Sequence, residues 1–200
     1  MDEHMLKKQN EAFVKKMLQG GSHYFETLIQ GQAPEFFVLS CSDSRVSPSV
    51  ITQMPLGHLF VHRNIANQVH PEDESFSASL YYALKHLKVK KIVIQGHTGC
   101  GGVTAAWQNN DEPQWQKWLN HIRAGLPKDG EYSIDELAKI NVLQQVEELK
   151  RHPVYQQYGE GVEIIPCLFH LETGELECLS AVSEHDEIKA AKEMTKQSFF

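Results

Sequence analysis

Residues 36–45, FFVLSCSDSR, and residues 91–102, KIVIQGHTGCGG, decide how this chain folds. Each opens on a short apolar run and then turns abruptly to Ser, Thr, Gly and chemically active side chains, as a buried strand does where it stops at a functional loop. A third apolar run, Leu59 to His62, lies between them, with helical segments around Ser47 to Gln53 and Glu74 to Leu87. Strands that alternate with helices pair in parallel through right-handed crossovers, and sites in such sheets lie beyond the carboxyl ends of strands. With Phe36 to Ser40 and Lys91 to Gln95 as strands, one end delivers Cys41, Asp43 and Arg45, and the other delivers His97 and Cys100, to a single rim.

Outward from these runs, Gly101-Gly102 opens a further helix as far as Trp107, and residues 111–132 read as a mixed insertion carrying Trp115 and Trp118. Ser133-x-x-Glu136 is a capping box, followed by Leu137, Ile140, Leu143, Val146 and Leu149 along one face of a long helix ending near Arg151. Val162 to Phe169 and Glu175 to Leu179 flank Glu172-Thr173-Gly174, a hairpin that closes the sheet with an antiparallel edge strand. On the other side, residues 3–18 place Leu6, Phe13, Val14, Met17 and Leu18 at helical spacing, and Gly20-Gly21 ends the pattern. That stripe suits docking on the chain's own core or on another subunit, and the sequence leaves both open. The tail from His185 is helical in composition. The expected fold is α/β: a single domain over residues 1–200, with a helical arm (1–30), a sheet core (31–180) and a C-terminal helix or tail (181–200). Its central sheet is mostly parallel, with an antiparallel edge strand and flanking helices.

At 200 residues and 41% hydrophobic, the chain suits one domain with a substantial core. A net charge of -7 leaves no basic surplus for a phosphate backbone, so no nucleic-acid partner is expected. MDEHMLKKQNEAF mixes both signs of charge without the apolar core of a signal peptide, and no stretch has the length of a membrane span. The expected location is the cytosol, with no membrane partner. A reducing compartment keeps Cys41 and Cys100 available as thiolates.

Two thiolates and one imidazole with an open fourth position make a catalytic zinc site: the metal carries a water whose pKa falls toward neutrality. Thiolates donate electron density and oppose that acidification, so a hydrogen-bond partner for the nucleophile is needed, and Asp43 is the carboxylate placed for it. Arg45, two residues on, can grip Asp43 bidentately and keep it ionised. The plainer reading of Cys41 and Cys100 as apolar core residues leaves their ordered company with His97 unexplained. Cys167 and Cys178, in the terminal hairpin without neighbouring ligands, are expected in the core and without chemistry. His58, His62 and His70 lie near the site in sequence, but none is assigned as a proton carrier. Tyr81, Tyr82 and Phe60 read by composition as core aromatics.

C-x-D-x-R followed by H-x-x-C-G-G resembles the signature of the β-class carbonic anhydrases. The resemblance extends through GQAPEFFVLSCSDSRVSPSV (31–50), GHLFVHRNIAN (57–67) and SASLYYALKHLKVKKIVIQGHTGCGGV (77–103), and is most like the plant-type branch. It implies reversible hydration of carbon dioxide to bicarbonate and a proton, with one zinc ion per chain on Cys41, His97 and Cys100. It further implies that Asp43 orients the nucleophile, Arg45 orients Asp43, and the assembly is a homodimer or homotetramer. Gln32, Phe60, Ile65 and Tyr82 fall where such enzymes build a small carbon dioxide pocket, with Gln32 and Tyr82 supplied across a dimer interface, and Gly101-Gly102 offers backbone amide to substrate. An apolar pocket with one amide suits a small uncharged molecule. Bicarbonate-regulated members hold an inhibitory anion with a tryptophan, an arginine and a tyrosine; here the positions are Val38, Arg63 and Phe169, so that switch is expected to be absent. The rival readings are hydrolysis of carbonyl sulfide or carbon disulfide on the same site, and a non-catalytic zinc-binding protein. The second needs neither Asp43 nor Arg45.

Overall fold

Five strands form one sheet: Phe36–Cys41 (β1), Leu59–Asn64 (β2), Lys91–His97 (β3), Glu163–Phe169 (β4) and Leu176–Cys178 (β5), in the order β2-β1-β3-β4-β5. The computed structural model describes residues 3–21 and 23–180, so the tail from His185 lies outside them. β1 pairs in parallel with β2 and β3, β3 pairs in parallel with β4, and β5 returns antiparallel to β4 as the hairpin signal requires. The chain divides into two compact units, one ending at Ala33 and one beginning at Pro34. The first contains helices Glu3–Gln19 (α1) and Tyr24–Ile29 (α2). α1 buries no residue, and Leu6, Phe13 and Leu18 of its apolar stripe are exposed.

In the second unit the helices are Pro48–Thr52 (α3), Glu74–Tyr81 (α4), Gly101–Trp107 (α5), Gln116–Gly125 (α6), Ile134–Arg151 (α7) and Pro153–Tyr158 (α8). α7 begins as its sequence dictates: the Ser133 side chain accepts from the Glu136 amide, and the Glu136 carboxylate accepts from the Ser133 amide. Each such cap contributes about 1 kcal/mol. α7 then lays Leu137, Val142, Val146 and Leu149 into the core. One apolar cluster gathers Phe37, Leu39, Phe76, Leu80, Ile92, Ile94, Val142 and Leu168; a second gathers Cys41, Cys100, Val103, Leu119, Ile122 and Phe169.

Several expectations change. The segment read as one helix over 74–87 is α-helical only to Tyr81, and Tyr82–Leu87 winds as a π-helix that stops at Lys88 in the left-handed region (φ 54°). The mixed insertion contains α6, whose buried Leu119 and Ile122 help form the second cluster, with Trp115 and Trp118 packed against it. Tyr81 and Tyr82 are exposed and not core, and Phe60 is half-buried. Cys167 is buried as expected, but Cys178 is exposed, because β5 is a three-residue edge strand with nothing hydrogen-bonded beyond it among the described residues. Among the described residues no helix is long and apolar enough to cross a membrane.

Candidate metal centre

The ends of two adjacent parallel strands make the site. β1 ends at Cys41 and β3 at His97, and the turn Thr98-Gly99 returns the chain so that Cys100 caps α5. Gly99 takes φ +59°, a conformation that costs little only for glycine. That turn is fastened on two sides: Gly99 N–H donates to Asp135 Oδ1 at 2.8 Å, and the Thr98 hydroxyl donates to Glu172 at 2.8 Å while accepting from the Leu171 amide at 2.9 Å. One ligand atom each from Cys41, His97 and Cys100 lie within 4.8 Å of one another, and all three residues are buried.

The donor set fits a soft divalent metal. His97 Nδ1 donates to the Thr98 carbonyl at 2.9 Å, which fixes the proton on Nδ1 and leaves the Nε2 lone pair free. Nε2 is buried without a hydrogen-bond partner, an expensive state for an imidazole nitrogen unless a ligand takes its lone pair. The Cys41 thiol is pulled down, chiefly by a hydrogen bond from Cys100 and against the cost of burial, while Cys100 is pushed up by the same contact and by burial. Burial and this contact oppose ionising both sulfurs together, and a dication supplies the positive charge that lets both be thiolates. Ala66 N–H donates to Cys41 Sγ at 3.4 Å, and the amides of Gly102 and Val103 favour the Cys100 thiolate.

Beside this set, Asp43 and Arg45 form the pair the spacing predicted. Arg45 Nε donates to Asp43 Oδ1 at 2.9 Å and its terminal nitrogen to Oδ2 at 2.7 Å, while the Arg45 amide donates to Oδ1 at 2.9 Å. The guanidinium hydrogen bonds hold the Asp43 carboxyl well below the usual carboxylate range. Asp43 Oδ2 stands 3.9 Å from His97 Nε2.

Arg63, on β2 beside Ser40, has a role not foreseen from sequence. Its Nε donates to the Cys41 carbonyl at 2.8 Å and a terminal nitrogen to the Asp43 carbonyl at 2.6 Å, so it clamps the loop that carries both residues. A second missed feature is the amide network under the site. Ala66 and Asn67 sit at φ 62° and 48° inside a short 3-10 turn, Ile65–Asn67, a strain of about 1–2 kcal/mol per residue for a side chain other than glycine. The Ala66 carbonyl accepts from Gln68 Nε2 at 2.7 Å and from Asn141 Nδ2 at 3.0 Å, and Gln145 Oε1 accepts from the Val69 amide at 2.7 Å. Held so, Ala66 directs its amide at Cys41. The available signal was two amides four residues apart on the buried face of α7.

Of the residues expected to line a substrate pocket, Ile65, Gly101 and Gly102 lie at the site: a Cβ on Gly102 would come 2.5 Å from Ile65 Cγ2. Ile65 also lines a cavity of about 440 Å³ with His70, Trp115 and Trp118. Phe60 and Tyr82 are brought to each other, with ring centroids 5.7 Å apart, but not to the metal donors. Phe60 is four residues before Asn64, the partner of Cys41, which is about 13 Å along a strand. Gln32 is exposed and belongs to the N-terminal unit.

The carbonic anhydrase family model matches residues 36–176. A carbonic anhydrase of Emericella nidulans is 36% identical over 184 residues, covering 86% of this chain and 80% of the relative. Among solved structures, a tetrameric β-carbonic anhydrase of Sordaria macrospora superposes with a TM-score of 0.81 at 31% identity, covering 88% of this chain and 96% of that one. The β-carbonic anhydrase CafA of Aspergillus fumigatus does so with a TM-score of 0.81 at 33% identity, covering 94% and 95%. With the strand-end donor set, the sheet order and these likenesses in agreement, the chain belongs to the β class of the carbonic anhydrase family.

Proposed function

We propose that this carbonic anhydrase interconverts carbon dioxide and bicarbonate with one zinc ion per chain, held by Cys41, His97 and Cys100. The observation that carries the reading is the Asp43–Arg45 pair standing at a buried three-donor set, since metal storage alone needs no oriented carboxylate. Zinc bound there supplies an acidified water as nucleophile at neutral pH. The chain's own groups set its direction. A carboxylate offers about four acceptor positions; Oδ1 of Asp43 takes two hydrogen bonds and Oδ2 takes one, all from Arg45. The open position is therefore on Oδ2, the oxygen 3.9 Å from His97 Nε2, where it accepts the nucleophile's hydrogen and fixes the lone pair aimed at substrate.

Ile65, Gly101 and Gly102 form the near wall of the substrate pocket in this proposal. Phe60 completes the pocket, with Gln32 and Tyr82 supplied by a neighbouring copy. A dimer or tetramer is thus part of the reading, supported by the tetrameric Sordaria relative. We place the protein in the cytosol, on the need of Cys41 and Cys100 for a reducing compartment that keeps them as thiolates.

The test is carbon dioxide hydration by the purified protein with zinc measured in the same sample. Cys100→Ser is expected to remove most of the metal and all activity; full zinc occupancy with normal hydration in that variant would defeat the ligand assignment. Sulfide release from carbonyl sulfide, run side by side, separates hydration from hydrolysis of sulfur analogues.

A further inference from the structure

The two cysteines outside the metal centre face each other across the β4–β5 ladder. Cys167 is the register partner of Cys178, and their sulfurs are 3.7 Å apart. In that ladder Leu179 N–H donates to the Pro166 carbonyl at 2.8 Å and His170 N–H to the Glu175 carbonyl at 2.9 Å. Hydrogen-bonded and non-hydrogen-bonded pairs alternate along antiparallel strands, so Leu168–Glu177 is a hydrogen-bonded pair and Cys167–Cys178 is not. Opposed residues of the second kind have α-carbons about 4.5 Å apart with converging side chains, inside the ~4.4–6.8 Å span a disulfide accepts. Closing the sulfurs to bonding distance needs side-chain rotation, with the strands staying where they are.

Access and surroundings favour chemistry over packing. Cys178 is exposed and Cys167 is buried beneath it. Both border an apolar cavity of about 200 Å³ with Val38, Met54, Val93 and Ile165, and among the described residues no third metal-ligating side chain joins them. Burial, the Cys178 charge and the hydrogen bond to Cys178 push the Cys167 thiol up to about 12. The last two causes disappear once Cys178 is capped, so capping makes Cys167 a better nucleophile toward its neighbour.

We propose that Cys167 and Cys178 are a dithiol modification site that reacts with a low-molecular-weight disulfide, such as oxidised glutathione, to close a cross-strand disulfide on the β4–β5 edge. Cys178 as thiolate attacks one sulfur of the reagent, whose S–S bond breaks and releases one thiolate that takes up a proton. Cys167 gives its proton to solvent, attacks the Cys178 sulfur of the mixed disulfide and expels the second thiol. Two protein thiols and one small disulfide become one protein disulfide and two small thiols, and two electrons pass to the reagent. Neither sulfur is a metal donor, so this site stands apart from the proposed zinc chemistry.

The test uses zinc-loaded protein treated with oxidised glutathione, quenched in acid, alkylated and mapped by peptide mass. Wild type is expected to lose two alkylatable thiols, give a linked Cys167–Cys178 peptide pair, retain no glutathione and recover both thiols with dithiothreitol. Cys167→Ala is expected to stop with one glutathione on Cys178, and Cys178→Ser to leave Cys167 unmodified. Retention of both thiols in treated wild type, or stable glutathione on Cys178 without the link, overturns the proposal. So does modification of Cys167 in Cys178→Ser at the wild-type rate. Should a variant fold poorly, the wild-type map decides alone.

Discussion

Replacing Gly96 with alanine tests whether the closeness of helix and sheet, and not chain flexibility, is why a glycine precedes the ligand histidine. A Cβ at residue 96 would lie 2.3 Å from Val142 Cγ2, with Asn67 Oδ1 and Leu168 Cδ1 at 3.6 Å. The first contact is more than about 1 Å inside the ~3.5–4.0 Å optimum for carbon pairs. Neither side can give way cheaply. Gly96 is in β3, which has β1 on one side and β4 on the other, and Val142 is fully buried on α7 with a β-branched side chain that keeps essentially one rotamer in a helix. Overpacking of this kind costs about 1–3 kcal/mol, which at about 2–4 °C per kcal/mol for a chain of this size lowers the thermal midpoint by about 2–12 °C. Lifting α7 also moves Asn141 and Gln145, which hold the Ala66 turn against Cys41, so hydration activity falls with stability. Val142→Ala alone leaves a cavity and costs about 1–3 kcal/mol. In the double variant the new methyl occupies that space, giving a favourable coupling of about 1–2 kcal/mol. Calorimetry or circular dichroism melts of the four proteins read the cycle. A Gly96→Ala midpoint equal to wild type, or strictly additive effects in the double variant, would refute the packing argument.

Asp43→Asn keeps a side chain of the same shape but weakens the Arg45 grip and the acceptor on Oδ2; it is expected to retain zinc and lose at least about tenfold in turnover, equivalent to ~1.4 kcal/mol of barrier. Wild-type turnover in that variant would end the role given to Asp43. Bicarbonate is expected to act as product without cooperative inhibition. Val38 and Phe169 offer no hydrogen bond to an anion, and Arg63 is engaged by the Cys41 and Asp43 carbonyls, so a sigmoidal bicarbonate inhibition curve would overturn this reading. Burial holds His62, His121 and His152 below the ordinary imidazole value. A folded-state pKa below the unfolded one means the unfolded chain takes up protons first, so the stability these groups contribute is complete above about pH 6.5 and is lost as pH falls below it. Melts from about pH 7.5 to 5.5 should show a falling midpoint and a shallower slope in His152→Gln; a midpoint that rises on acidification would contradict the sign.

The strands were legible because β1 and β3 are buried on both faces and therefore read as unbroken apolar runs, while α7 announced itself by its capping box and its apolar stripe. The donor residues were legible for a related reason: two strand ends in one parallel sheet share a rim, so Cys41, Asp43, Arg45, His97 and Cys100 are gathered by local chain direction and topology alone. Cys178 was misplaced because alternation says which face a residue takes and not whether anything covers it; the hairpin was legible as the sheet edge, but the exposure of its outer strand was not. The π-helical turn after Tyr81 left no mark in sequence periodicity. What tertiary structure alone decided is the support beneath the metal centre. Arg63 clamping two carbonyls, Asn141 and Gln145 holding a left-handed Ala66, and Gly96 admitting Val142 each join residues from different elements. Such contacts depend on how closely a helix and a sheet approach, a distance set by the summed packing of the core and encoded at no single position of the chain.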